Sequence, residues 1–132
     1  MGALDQTHAN NIVDASLGTA AFVATTAPVR ARLMTANGSA TANGTELATS
    51  GGYTSGTAAP TVTFNAASAA SAASNTAVTV TNMPATTVVG VELWDSAATP
   101  KRKWWGALTA SKRTNAGDTF TVAAGSLTVT DS

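Results

Sequence analysis

The chain has 132 residues with a formal net charge of zero, only 11% charged residues and no cysteine. This length suits one domain, and the missing cysteines exclude disulfides, cysteine-bound zinc and thiol catalysis. Alanine supplies much of the apolar fraction, so large core side chains are scarce and each small residue buries little area. A thin core and a weakly charged surface indicate a protein that gains stability in an assembly.

The first residues predict one helix, over residues 5–17. Asp5 or Thr7 can cap it by accepting a backbone N–H, and Gly18 can end it in a left-handed conformation. Apolar residues and the only histidine recur at helical spacing: Leu4, His8, Ile12, Val13 and Leu17. Because His8 lies among these apolar residues, we expect it to pack or cap and not to act in catalysis.

The rest of the chain alternates apolar and polar residues, largely Val and Thr, which is typical of strands with one buried face. Seven segments fit this pattern: 29–35, 60–65, 76–81, 86–95, 102–109, 118–123 and 126–131. The connection 36–57 holds two Asn-Gly pairs that favour turns and a hairpin tip. The Ala/Ser tract 66–74 is predicted to be a loop, and the turn at 123–126 to join the last two strands as a hairpin.

These elements predict a mainly β fold, a jelly-roll-like antiparallel β-sandwich of seven or eight strands with one N-terminal helix. We divide the chain into a helix with a connecting arm, 1–27, and a sandwich domain, 28–132. The expected core residues are Val62, Phe64, Val78, Val80, Val91, Leu93, Leu108, Phe120, Val122, Leu127 and Val129.

Strand periodicity also predicts which side chains share a face. In segment 86–95, strict alternation groups Val89 with Val91 and Leu93, opposite to Val88. The adjacent Trp104 and Trp105 must point to opposite faces, so one of them belongs to the core and the other is partly exposed or at an interface.

Motifs that carry chemistry are absent from the sequence. No HExxH, GxSxG or phosphate-binding loop occurs, and the acidic residues lack the spacing of a calcium loop. Glu92 and Asp95 fall on opposite strand faces, so they cannot form a local acid/base pair. We therefore predict no enzyme, and no catalytic, metal-binding or cofactor-binding residue.

Five of the seven basic residues flank the tryptophan pair: Lys101, Arg102, Lys103, Lys112 and Arg113. A nucleic-acid patch with stacking aromatics is one interpretation, but the zero net charge favours two positive loop ends that bracket one strand. A third interpretation is contact with an acidic partner protein surface, which an assembly would supply. Similarly, Trp94, Trp104 and Trp105 with Tyr53 could line a sugar-binding face, although tryptophans in a core short of large side chains are more often structural.

An ordered series of short motifs resembles the small virion proteins of tailed phages known as phage tail fibre proteins, over nearly the whole chain. The motifs lie at 17–19, 51–53, 62–67, 74–76, 90–95, 105–109, 115–118 and 123–129. The resemblance implies a β-rich virion structural protein without catalytic residues, made in the host cytoplasm. Our first interpretation is a capsid decoration or head fibre that binds and stabilises the outside of the head. The alternative is a tail fibre or minor tail protein that contacts the host surface.

The resemblance also implies partners within the virion, either the major capsid protein or other virion proteins, and we expect a homotrimer. We expect neither nucleic acid nor a membrane as a partner, since no run approaches 20 apolar residues and the first residues carry no secretory signal. The predicted interface residues are Trp94, Trp105, Lys101, Arg102, Lys103, Leu4, Ile12 and Leu17.

Overall fold

The computed structural model describes residues 2–131, and its only α-helix there begins close to the predicted position. Helix α1 spans Gln6–Ser16, and the Asp5 carboxylate caps it by accepting the Thr7 N–H at 2.9 Å. Gly18 follows with φ +73°, as the predicted stop requires. His8 is the one buried helix residue, so the helix packs on the domain through its first turn.

The largest sheet has six antiparallel strands, in the order β1-β8-β7-β2-β3, with β4 also paired to β2. Its strands are β1 (Ala3–Leu4), β2 (Val29–Ala36), β3 (Thr45–Glu46), β4 (Thr61–Val62), β7 (Thr86–Trp94) and β8 (Arg102–Thr114). The β2–β3 hairpin confirms the turn predicted within 36–57. Since β1 pairs with β8, the residues before the helix belong to the sheet.

Two further two-stranded sheets complete the core. They pair β5 (Ser71–Ala73) with β10 (Thr128–Thr130), and β6 (Val78–Val80) with β9 (Phe120–Val122). Val78, Phe120 and Leu127 from this part of the chain join one buried cluster with Leu33 and Leu93 of the large sheet. The mainly β, antiparallel, sandwich-like fold with one helix is therefore confirmed.

The predicted core is also confirmed. Seven of its eleven residues are buried, and the other four are half-buried against the cluster: Phe64, Leu108, Val122 and Val129. The predicted core omitted Leu33 and Met34 of β2, which are 0% and 1% exposed, and also Tyr53 and Met83, each 1% exposed. The last two escape a pattern-based prediction for a structural reason. Both lie in irregular segments, where no periodicity marks the buried face.

Three local predictions are wrong. Strands β9 and β10 pair with β6 and β5, not with each other, so the turn between them does not form a hairpin. The tract 66–74 contains β5, because pairing with β10 overrides the low strand propensity of Ala and Ser. The register of β7 on β8 shifts between Val88 and Gly90, so Val88 is fully buried and Val89 only half-buried.

Candidate functional site

The predicted basic surface at 101–103 is largely inside the protein. Arg102 is 4% exposed and Lys103 is 6% exposed, whereas Lys101 is exposed. Strand β8 begins at Arg102 and passes directly beside the helix cap and β7, so both charged groups are enclosed by neighbouring elements. Both are predicted interface residues, and the charged group of each already contacts a carboxylate of this chain.

Arg102 connects four parts of the fold through its guanidinium group. Its Nε and Nη2 donate to Asp5 Oδ2 at 3.0 and 2.8 Å, which ties down the helix cap. Its Nη1 donates to Glu92 Oε1 of β7 at 3.0 Å and to the Ala42 carbonyl at 2.8 Å, and its Nη2 also donates to the Ser39 carbonyl. The helix, the β2–β3 loop, β7 and β8 are therefore joined at one side chain.

Glu92 extends this network to the tryptophan at the end of β7. Its Oε2 accepts the Trp94 indole N–H at 3.1 Å, and its Oε1 accepts the Gly44 N–H at 2.7 Å. The Arg32 guanidinium carbon lies 4.0 Å from the centre of the Trp94 ring, in a cation–π contact. Trp94 is half-buried and is held from two sides.

A second group of buried charges lies beside the helix. Lys103 Nζ is 3.7 Å from Asp95 Oδ2, and Asp95 Oδ1 accepts the Lys101 N–H at 2.8 Å. Burial, and then the positive charge of Lys103, lower the pKa of His8, although Asp5 and Asp95 act in the opposite direction. His8 Nδ1 has no hydrogen-bond partner in the described part of the chain.

A cleft of about 460 Å³ separates helix α1 and its arm from the end of the sheet. We call it the helix–sheet cleft. Its chemically distinctive lining residues are His8, Asn11, Asn43, Trp94, Lys101 and Lys103. The cleft therefore combines an indole ring, amides and basic groups.

The three tryptophans do not all lie on one face of the large sheet. Trp104 pairs with Leu93 and packs against the core cluster, whereas its neighbour Trp105 pairs with Glu92. Adjacent strand residues point to opposite faces, as the sequence predicted for this pair. Trp105 is half-buried, and its indole N–H donates to the Leu4 carbonyl at 3.3 Å.

An apolar surface extends from the end of helix α1 into the arm that follows it. Its members have exposed fractions of 53% for Val13, 72% for Leu17, 60% for Phe22 and 54% for Val23. We call these four residues the helix–arm surface. Among the predicted interface residues, Leu17 belongs to it, while Leu4 and Ile12 are half-buried. Phe22 and Val23 carry no periodic signal, so the sequence reading missed them.

Within residues 2–131, no group of three or more His, Asp or Glu side chains could hold a metal ion. In the same part of the chain, helix α1 has only 11 residues, and no helical segment reaches the length and hydropathy of a membrane span.

The sandwich-like domain, the internal charge network and the two surface features define a small β-rich module of the binding or structural class. The chain belongs to the family described as podophage GP4 fiber I protein gp80, whose family model matches residues 3–130. None of the curated proteins matches it significantly. Family membership supports a fibre-type structural protein of the phage particle and a non-enzymatic role.

Proposed function

We propose that this protein is a fibre-type component on the outside of the phage head, which binds capsid subunits permanently and stabilises the shell through buried area. The observation that carries the proposal is the helix–arm surface, four large apolar side chains exposed in one stretch of chain. Contiguous apolar patches of about 400 Å² or larger mark interaction sites on soluble proteins.

The charge of this region supports a permanent contact. Asp14 is the only charged residue between His8 and Arg30, so covering this surface removes few charges from water. At roughly 25 cal/mol per Å², burying such a patch contributes about 10 kcal/mol before the costs of association. We extend the proposal to a homotrimer, in which part of this surface contacts a second copy and part contacts the capsid.

A place in the tail is the second candidate, and the fibre description of the family favours it. The same apolar surface would then attach the domain to another tail protein, and the opposite side of the domain would face the host. The two candidates differ in location on the particle and share the attachment surface.

Cryo-EM of purified particles distinguishes the two locations. We expect density of this size on the outer head surface; the same density on the tail would replace the first candidate by the second. Particles that contain no copy of the protein would contradict both. The oligomeric state is checked by sedimentation at micromolar concentration, where a monomer would contradict the trimer.

The attachment surface is tested by complementing a phage that lacks the gene. We expect Leu17→Ser and Phe22→Ser to leave the fold intact and to reduce incorporation into particles. Ala98→Ser, a small change in an exposed loop, is the matched control and should incorporate normally. Normal incorporation of the Leu17 and Phe22 variants would place the attachment surface elsewhere.

A further inference from the structure

The helix–sheet cleft is lined by one buried polar atom without a hydrogen-bond partner among the described residues, on His8, and by the ion-paired Lys103. Lys103 is 6% exposed, yet its ammonium group makes no hydrogen bond within residues 2–131, and its nearest carboxylate oxygen is 3.7 Å away. His8 is 7% exposed, and its Nδ1 also lacks a partner there. Buried donors are normally satisfied, because an unmet one costs about 1–3 kcal/mol.

The other lining groups are also free to bind. The side-chain amides of Asn11 and Asn43 line the cleft and make no hydrogen bond with the described residues. Lys101 is exposed at the cleft and forms no ion pair within the same part of the chain. The acidic Asp5 in the same wall is already neutralised by Arg102. Lys103 is paired with Asp95, so among the described residues the unpaired positive charge at the cleft is that of Lys101, and with the free amides it favours a ligand with negative charge and several acceptors.

Trp94 adds a feature that a simple anion site does not need. Its indole lines the cleft and is held by a hydrogen bond to Glu92 and by a cation–π contact with Arg32. A fixed aromatic side chain beside amides suits a ring that has both an apolar face and hydroxyl groups. The volume of about 460 Å³ lies within the usual range for small-ligand sites.

We propose that the helix–sheet cleft binds an acidic sugar, with its carboxylate near Lys103 and Lys101 and its ring against Trp94. The amides of Asn11 and Asn43 then bond to the sugar hydroxyls. This site is separate from the three-tryptophan face that the sequence suggested, because only Trp94 takes part. The proposal holds for a head or a tail location. Because Val23 belongs to both the helix–arm surface and the cleft lining, the binding tests use the free protein.

Isothermal titration calorimetry with digalacturonate tests the carboxylate requirement. The neutral match is galactobiose, and acetate and a glutamate tripeptide supply carboxylates without a sugar ring. We expect digalacturonate to bind at least about 10-fold more tightly than galactobiose, as a charge-assisted hydrogen bond of roughly 1.5–3 kcal/mol implies. Equal binding of the two sugars, or no binding of digalacturonate, would overturn the proposal.

The carboxylates without a ring separate the alternatives. If acetate binds as tightly as digalacturonate, the cleft is an anion site and the sugar assignment is wrong. If the glutamate tripeptide binds more tightly than digalacturonate, the cleft recognises an acidic protein segment, and the sugar assignment is again wrong.

Pairs of a variant and a matched control test whether digalacturonate binds in this cleft. Asn11→Ala should weaken digalacturonate binding about 3- to 10-fold, as loss of one hydrogen bond implies, while Asn10→Ala, an exposed position on the same helix, should not. Lys101→Gln should weaken it roughly 2- to 5-fold, as expected for an exposed ion pair, whereas the exposed Lys112→Gln should leave it unchanged. Equal effects of each variant and its control would overturn the assignment to this cleft.

Lys103→Gln tests the buried ammonium directly. Because this change also leaves Asp95 without its ion-pair partner, its thermal unfolding is measured first. If the variant folds, we expect the preference for digalacturonate over galactobiose to disappear; a retained preference would contradict the role of Lys103. If it does not fold, the Asn11 and Lys101 pairs decide the question.

Discussion

Replacing Arg102 by Met should strongly destabilise the protein. The Arg102 and Glu92 side chains are each 2% exposed and 3.0 Å apart, so the substitution leaves a buried carboxylate without its counter-charge. Removing one partner of a buried ion pair costs about 3–5 kcal/mol. The variant also frees Asp5, the cap of helix α1, from its partner. For a domain whose total stability is typically about 5–15 kcal/mol, this is a large fraction.

Urea unfolding followed by circular dichroism measures the effect, and thermal unfolding should show a drop of roughly 10–20 °C. The control is Arg113→Met, the same change at an exposed position of the same strand, with an expected effect within about 0.5 kcal/mol. Adding Glu92→Gln to Arg102→Met should recover about 1–2 kcal/mol, because it removes the uncompensated charge. A loss below about 1 kcal/mol, or no recovery in the double variant, would refute this reasoning.

Three further predictions concern single residues. Because the pKa of His8 is lowered in the folded state, the unfolded chain binds more protons than the folded chain below pH 6.5. The free energy of unfolding, measured with urea, should therefore fall as the pH drops from about 7 to 5. His8→Gln should flatten this dependence on pH. Tyr53→Phe should cost about 1–3 kcal/mol in the same assay, because its hydroxyl accepts a buried N–H of β2; an unchanged midpoint would contradict this. Gly52→Ala should lower the melting temperature more than Gly125→Ala. An added Cβ at Gly52 would lie 1.9 Å from the Thr81 carbonyl oxygen, whereas at Gly125 it meets open space and costs only the strain of the positive φ of +86°.

The sequence predicted the long strands and the helix because their signals are local. Asp5 and Gly18 mark the helix ends, and the Val/Thr alternation marks the buried faces of β6 and β9. It failed where pairing is decided between distant segments. The Ser71–Ala73 strand has no apolar alternation of its own and exists because β10 lies beside it.

The candidate site was only partly predictable. The sequence singled out Trp94 and the basic residues at 101–103, and both contribute to the helix–sheet cleft. It treated Arg102 and Lys103 as surface charges, since nothing local shows that Glu92 and Asp95 face them from β7 and its end. Glu92, between Val91 and Leu93, fits the alternation of a solvent-facing strand residue, so the sequence gives no local sign of its buried ion pair.

The ion pairs inside the domain reduce the number of charges that are left on its surface, and this affects how the protein can assemble. The chain has seven acidic and seven basic residues, and seven of these fourteen take part in four ion pairs whose side chains are at most 20% exposed. The outer surface therefore carries even less charge than the composition suggests, so covering it with another protein removes few charges from water. At the same time, Arg102 joins the helix cap to β7 and to the β2–β3 loop, which holds the start of helix α1 in place. A helix fixed in this way needs less ordering when it binds, and less ordering favours a permanent interface.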